Sequence, residues 1–197
     1  ERSDWAHLYL YDLTTGQLKH QITGDKSSVN GGNWLVRDIL HFDPIQRELL
    51  LKTAGRDSSI SPYYVDVCKV NIDSCEITPI ISGSYDHLVH CSKDLHVIVI
   101  KAFKDAGEIS GVSPCGNFLV VTRSRVDTVP TTLLIDRNGT EILTLETADI
   151  SNLPVGWNWP EPIKLEAADK KTDIYGVVFR PPNFSPEKRY PVIDFLI

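Results

Sequence analysis

WNWPEPIKLEAADKKTDIYGVVFRPPNFSPEKRYPVIDFLI, residues 157–197, decides how the rest of the chain is read. Ile163-Lys164-Leu165-Glu166-Ala167 alternates apolar and polar side chains, and residues 173–179 end in Tyr-Gly-Val-Val-Phe. The polar run Ala168-Asp169-Lys170-Lys171-Thr172 joins them. Period-two alternation on both sides of a polar turn predicts a hairpin. In residues 180–191 the prolines lack backbone donors, so neither a ladder nor a helix runs through. Residues 192–197, Val-Ile-Asp-Phe-Leu-Ile, are nearly all apolar. A strand that does not alternate is buried on both faces, as in a parallel α/β sheet.

Working back toward the start, strand pairs recur. Residues 7–12 lead through Leu13-Thr14-Thr15-Gly16 into 17–23. Residues 65–70 lead through 71–74 into 75–81, and 132–136 through Arg137-Asn138-Gly139 into 140–145. Between these hairpins, 34–42 runs through 43–47 into 48–53, and 108–112 through Ser113-Pro114-Cys115-Gly116 into 117–122. Leu8, Val67 and Leu133 are equivalent positions of one repeat, each repeat holding four short strands. Radial blades of four antiparallel strands are the usual home of such a pattern. The chain reads as the second half of one blade and two whole blades. Residues 84–107 do not fit and are expected to form an insertion carrying an extra strand at 95–100. Residues 148–162 read as a linker stiffened by Pro154, Pro160 and Pro162. Trp157 and Trp159 either fix two domains or belong to an ordinary aromatic core.

The run from Asp169 to Ile193 resembles the approach to the catalytic domain in the prolyl oligopeptidase family of serine peptidases, with the dipeptidyl peptidase IV branch the best match. His-Leu-Tyr-Leu-Tyr-Asp-Leu-Thr-Thr-Gly (7–16), the Ser-Pro-x-Gly turn and Ser124-Arg125-Val126-Asp127-Thr128 resemble the propeller of the same branch. The resemblance implies a mostly β chain. Residues 1–147 would be the C-terminal blades of a β-propeller, 148–162 a linker, and 163–197 the first strands of an α/β-hydrolase (peptidase) domain. It also implies a parent exopeptidase that releases N-terminal dipeptides, Xaa-Pro or Xaa-Ala, from peptide substrates. No cofactor is implied, and a homodimeric parent is compatible with it. In that family a serine activated by His and Asp attacks the carbonyl while preformed donors hold the oxyanion. The carboxylate pair that grips the substrate's amino terminus precedes the equivalent of Glu1, and Ser, Asp and His follow Ile197. No catalytic, substrate-binding or metal residue therefore transfers to this chain, which is expected to be inactive alone. Two other readings stand beside this one. One is a non-catalytic propeller that binds or interacts. The other is a peptidase of the acylaminoacyl or oligopeptidase type.

A net charge of −6 argues against a nucleic-acid partner, and no apolar run approaches a membrane span. Compartment stays open between periplasmic or secreted and cytoplasmic. Cys68, Cys75, Cys91 and Cys115 show no CxxC spacing and are expected to be free thiols; Cys68 and Cys75 flank one turn. Gly111-Val112-Ser113-Pro114-Cys115-Gly116 resembles a nucleophile elbow only superficially. Its fifth position is Cys, and Pro follows Ser where a backbone donor is needed. His87, His90, Cys91 and His96 are close in sequence but match no standard zinc spacing. Asn138-Gly139-Thr140 and Asn183-Phe184-Ser185 fit the glycosylation pattern and read better as a hairpin tip and a loop. Arg123, Arg125 and Asp127 are either a substrate-facing rim or a solvated ion pair.

Overall fold

The computed structural model describes residues 4–24, 32–89 and 110–195, and among them every regular element is a strand. They form two compact units: residues 1–125 with 129–148, and residues 126–128 with 149–197.

Turn chemistry sets the first unit. Asp12 Oδ1 accepts from Thr14 N and Thr15 N, each at 3.0 Å, and Gly16 closes the turn at φ 69°. The same device recurs twice. Asp43 Oδ1 caps Ile45 N and Gln46 N, with Arg47 at φ 54°, and Asn71 Oδ1 caps Asp73 N and Ser74 N, with Cys75 at φ 62°. An Asx side chain satisfies the turn amides while the left-handed residue four positions on reverses the chain. These turns fix strand pairing. β1 (Tyr9–Tyr11) pairs with β2 (Leu18–Gln21). β3 (Leu35–Asp43), β4 (Glu48–Ala54), β5 (Val65–Asn71) and β6 (Ile77–Ile81) make one antiparallel sheet in chain order. β7 (Asp86–Val89), β8 (Phe118–Ser124), β9 (Thr131–Asp136) and β10 (Glu141–Thr147) make the second. Half a blade and two whole blades result, as the repeat predicts.

The middle blade is apolar on both faces because it is covered on both. Leu51, Cys68 and Val70 point to one side and pack with Ile22, Leu8 and Leu10 of the half-blade. Leu50, Val67 and Ile80 point to the other and pack with Val89, Leu119, Val121, Leu133 and Ile135. Successive side chains along a strand face opposite ways, so β4 and β5 serve two cores. Burying each such aliphatic side chain is worth about 1.5–3 kcal/mol. β10 has no such cover and is exposed throughout.

The stretch read as wholly insertion contributes a blade strand, since β7 pairs Asp86–Val89 with Val121–Ser124. The predicted 108–112 strand survives among the described residues as one bridge, Val112 to Leu119. Both pieces lie along the same edge of β8, so the first strand of this blade is supplied twice, before and after the insertion. Its expected strand at 95–100 lies outside the described residues.

In the second unit, β11 (Glu161–Glu166) and β12 (Asp173–Val178) form the predicted hairpin in unbroken register. Asp169 caps its turn through Lys171 N and Thr172 N, and Lys164 pairs across the strands with Asp173 at 2.8 Å. The proline-rich stretch beyond it is irregular, as expected. Its shape is held by Ser185 N donating to Tyr190 Oη and by Phe184 against Tyr190, centroids 5.2 Å apart. The strand expected at 192–197 does not form within its described part: Val192, Ile193 and Phe195 pair with nothing and are 89%, 94% and 82% exposed. A non-alternating strand needs neighbours on both edges and cover on both faces, and among the described residues no strand pairs with this run.

Candidate functional site

Ser113 sits at the head of a tight turn. Its Oγ accepts from Phe118 N at 3.0 Å and lies 3.4 Å from Cys115 Sγ, and its carbonyl accepts from Gly116 N at 2.8 Å. The hydroxyl is used to close the turn. The Ser113 hydroxyl and the Asn117 backbone hold the exposed Cys115 thiol below its usual range. Gly116 adopts φ 69°, and a Cβ there would stand 2.6 Å from the His41 ring. That close approach explains the glycine without any elbow.

The histidine and cysteine cluster is not assembled among the described residues, since His90, Cys91 and His96 lie outside them. His87 is turned inward: its Nδ1 donates to Val65 O at 2.8 Å, and burial pushes its pKa down. Facing it is Asp66, a residue that sequence reading passed over. Asp66 is buried, and desolvation pushes its carboxyl up to about 6 against the pull of Arg56. An Asp in an alternating strand reads as solvent-facing; its burial at the head of β5, beside Arg56 and the Gly83 N–H, shows otherwise.

Of the rim candidates, Arg123 lies at the end of β8 with its guanidinium 5.9 Å from the Tyr85 ring centroid. Arg125 belongs to the first unit and Asp127 to the second. At the opposite ends of the strands, Arg137 reaches Glu48 at 2.6 Å and Asp43 at 3.6 Å, tying the β9–β10 turn to the β3–β4 turn. Asn138 is at the expected hairpin tip, with Gly139 at φ 87°. Cys68 stands opposite Pro79 in the ladder, so register does not pair it with Cys75. Both are free thiols, as is Cys115; Cys91 lies outside the described residues.

The second unit carries an open groove of about 670 Å³ lined by Asn158, Trp159, Glu161, Arg180, Phe184 and Pro186. Arg180 grips Glu161 through two nitrogens, at 2.6 and 2.8 Å, and lies 4.4 Å over the Phe184 ring. The pair lowers the Glu161 pKa and raises that of Arg180. The groove holds an ion pair already satisfied and no nucleophile, and Trp159 lines it.

The family model for the dipeptidyl peptidase IV (DPP IV) N-terminal region matches residues 1–104. Among solved structures, a protein of Bacteroides ovatus that carries the provisional description dipeptidyl aminopeptidase IV is similar. It is 21% identical, with a TM-score of 0.69, over 96% of this chain and 25% of that one. At that identity the likeness speaks for the fold. This chain spans about a quarter of that structure's length.

Proposed function

This chain belongs to the family of the dipeptidyl peptidase IV N-terminal region, and from that premise we propose that it serves a serine exopeptidase releasing N-terminal dipeptides, Xaa-Pro or Xaa-Ala, from peptides. The family match over residues 1–104, which hold the half-blade and the middle blade, carries the reading. In it, the half-blade and two blades belong to the propeller that caps the catalytic chamber and admits small, flexible peptides. The β11–β12 hairpin and the apolar 192–197 stretch lead into an α/β-hydrolase domain, whose serine, aspartate and histidine lie beyond these residues. Ser113 takes no part, because its hydroxyl closes a turn.

The test uses a Gly-Pro chromogenic substrate and a serine-directed fluorophosphonate. The full polypeptide should release dye and take the label outside residues 1–197, and the 197-residue chain should stay at background. Turnover by the chain alone that Ser113→Ala abolishes, or a label on Ser113, would overturn this account.

A further inference from the structure

Two buried ionisable side chains meet where β5 and β7 face each other, outside anything the proposed peptidase chemistry uses. Val65, at the head of β5, is held from β7 at both backbone groups. Its N–H donates to Asp86 Oδ1 at 3.0 Å, and its carbonyl accepts from His87 Nδ1 at 2.8 Å. The next residue, Asp66, is 4% exposed, and His87 is 2% exposed. Asp66 Oδ1 lies 3.8 Å from that same Nδ1 and has no hydrogen-bond partner among the described residues. One N–H therefore has two acceptors before it: a carbonyl that holds it and a carboxyl oxygen just beyond hydrogen-bond range.

We propose that Asp66 and His87 form a proton-operated clasp on the seam between the two blades, firm when Asp66 is protonated and looser when it is ionised. Ionised, Asp66 is a buried charge whose Oδ1 has no donor among the described residues and which draws on the N–H that Val65 already holds, so its burial weakens the packed seam. Protonated, it carries no buried charge and leaves that bond to Val65 undisturbed. The described groups facing Asp66 are Arg56 and Asp57 from the loop after β4, the Gly83 N–H before β7 and the buried Cys68 thiol of β5, whose pKa is raised chiefly by burial. Those facing His87 are Asp86, Arg123 of β8 and the Tyr85 ring, 6.5 Å away. Burial outweighs Arg56 and sets the Asp66 carboxyl at about 6. Burial also lowers the His87 pKa, so the imidazole is a neutral donor near pH 7.

The two groups act on stability in opposite directions. The folded pKa of Asp66 lies above its ordinary 3.8, so its contribution is full below pH 3.8 and is lost as pH rises through about 6. That of His87 is full above 6.5 and is lost as pH falls below it. A substitution at Asp66 separates them.

The experiment is hydrogen exchange followed by mass spectrometry on the full polypeptide, for peptides covering β5 and β7, corrected for intrinsic exchange rates. Between pH 5 and pH 8 protection should fall about tenfold relative to Asp66→Asn over the same range, the part above pH 5 of a total of roughly a hundredfold. Asp66→Asn keeps shape but does not ionise, so it carries the opposing His87 contribution alone. The same pH dependence in the unsubstituted protein and in Asp66→Asn would overturn the clasp. Should the variant not fold, carbon NMR titration of the Asp66 carboxyl in the unsubstituted protein decides. A midpoint near 6 supports the clasp, and one near 3.8 overturns it.

Discussion

Gly16 and Gly139 both occupy the left-handed region, at φ 69° and 87°, yet they do so for different reasons. A Cβ on Gly16 would meet nothing within 4 Å, whereas one on Gly139 would stand 1.9 Å from the Ile80 carbonyl oxygen. Gly16→Ala should therefore cost about 1 kcal/mol, the backbone strain alone. Gly139→Ala should cost about 3 kcal/mol, because the hairpin tip must also lift off β6. Urea unfolding of the two variants checks this, and equal losses would refute it. The turn carboxylates give a pH prediction opposite in sign to Asp66. Hydrogen bonds from the backbone of Thr15, from Lys19 and from the backbone of Thr14 lower Asp12 to about 2. Asp43, Asp136 and Asp169 are lowered as well, chiefly by bonds from Gln46, Thr140 and Thr172 respectively. A lowered folded pKa stabilises above the ordinary 3.8 and is lost as pH falls toward 2. Thermal unfolding followed by circular dichroism should thus show a lower midpoint at pH 2.5 than at pH 5; an unchanged midpoint would refute it. At this scale the turns were legible in the sequence as polar runs between strands, with Gly16 marking the first, whereas the Asx caps and the left-handed Arg47 and Cys75 came only with the structure. Asp66 was not legible, because its neighbour His87 comes from another blade.

Strands β1 to β6 and β8 to β12 follow the predicted runs closely, because alternation and turn residues are properties of contiguous chain. β7 escaped that reading. It is four residues long, Asp86–Val89, and starts just after Gly83, at φ 123°. What makes it a strand is the edge of β8 that it joins. The reverse holds for residues 192–195, where an apolar run predicts a strand and no described strand pairs with it. An exposed apolar stretch with free backbone groups is a template for pairing between chains. The 197-residue polypeptide should accordingly self-associate more than the same chain truncated after Arg189, measured by light scattering at equal concentration. Equal association in both would clear this stretch of the cause.

Two compact units divide near Ala148, with residues 126–128 joining the second. We expect limited proteolysis of the chain to cut first within 147–160, where the last blade has ended and the next hairpin has not begun. Preferred cleavage inside 131–145, in the β9–β10 hairpin, would contradict that. The sequence by itself determined the strand pairs, their turns, the repeat of half a blade and two whole ones, and the kinship with the peptidase propeller. Each of these rests on residues adjacent in the chain or spaced by a period. Only the tertiary structure decided that β4 and β5 carry two apolar faces for two separate cores, that β7 completes the last blade, and that Arg137 ties two turns together. It alone placed a carboxylate beside a histidine in the seam. Those facts depend on which surface a neighbouring blade covers. Burial changes the energy of a charge or an apolar side chain without leaving any mark in the local order of residues.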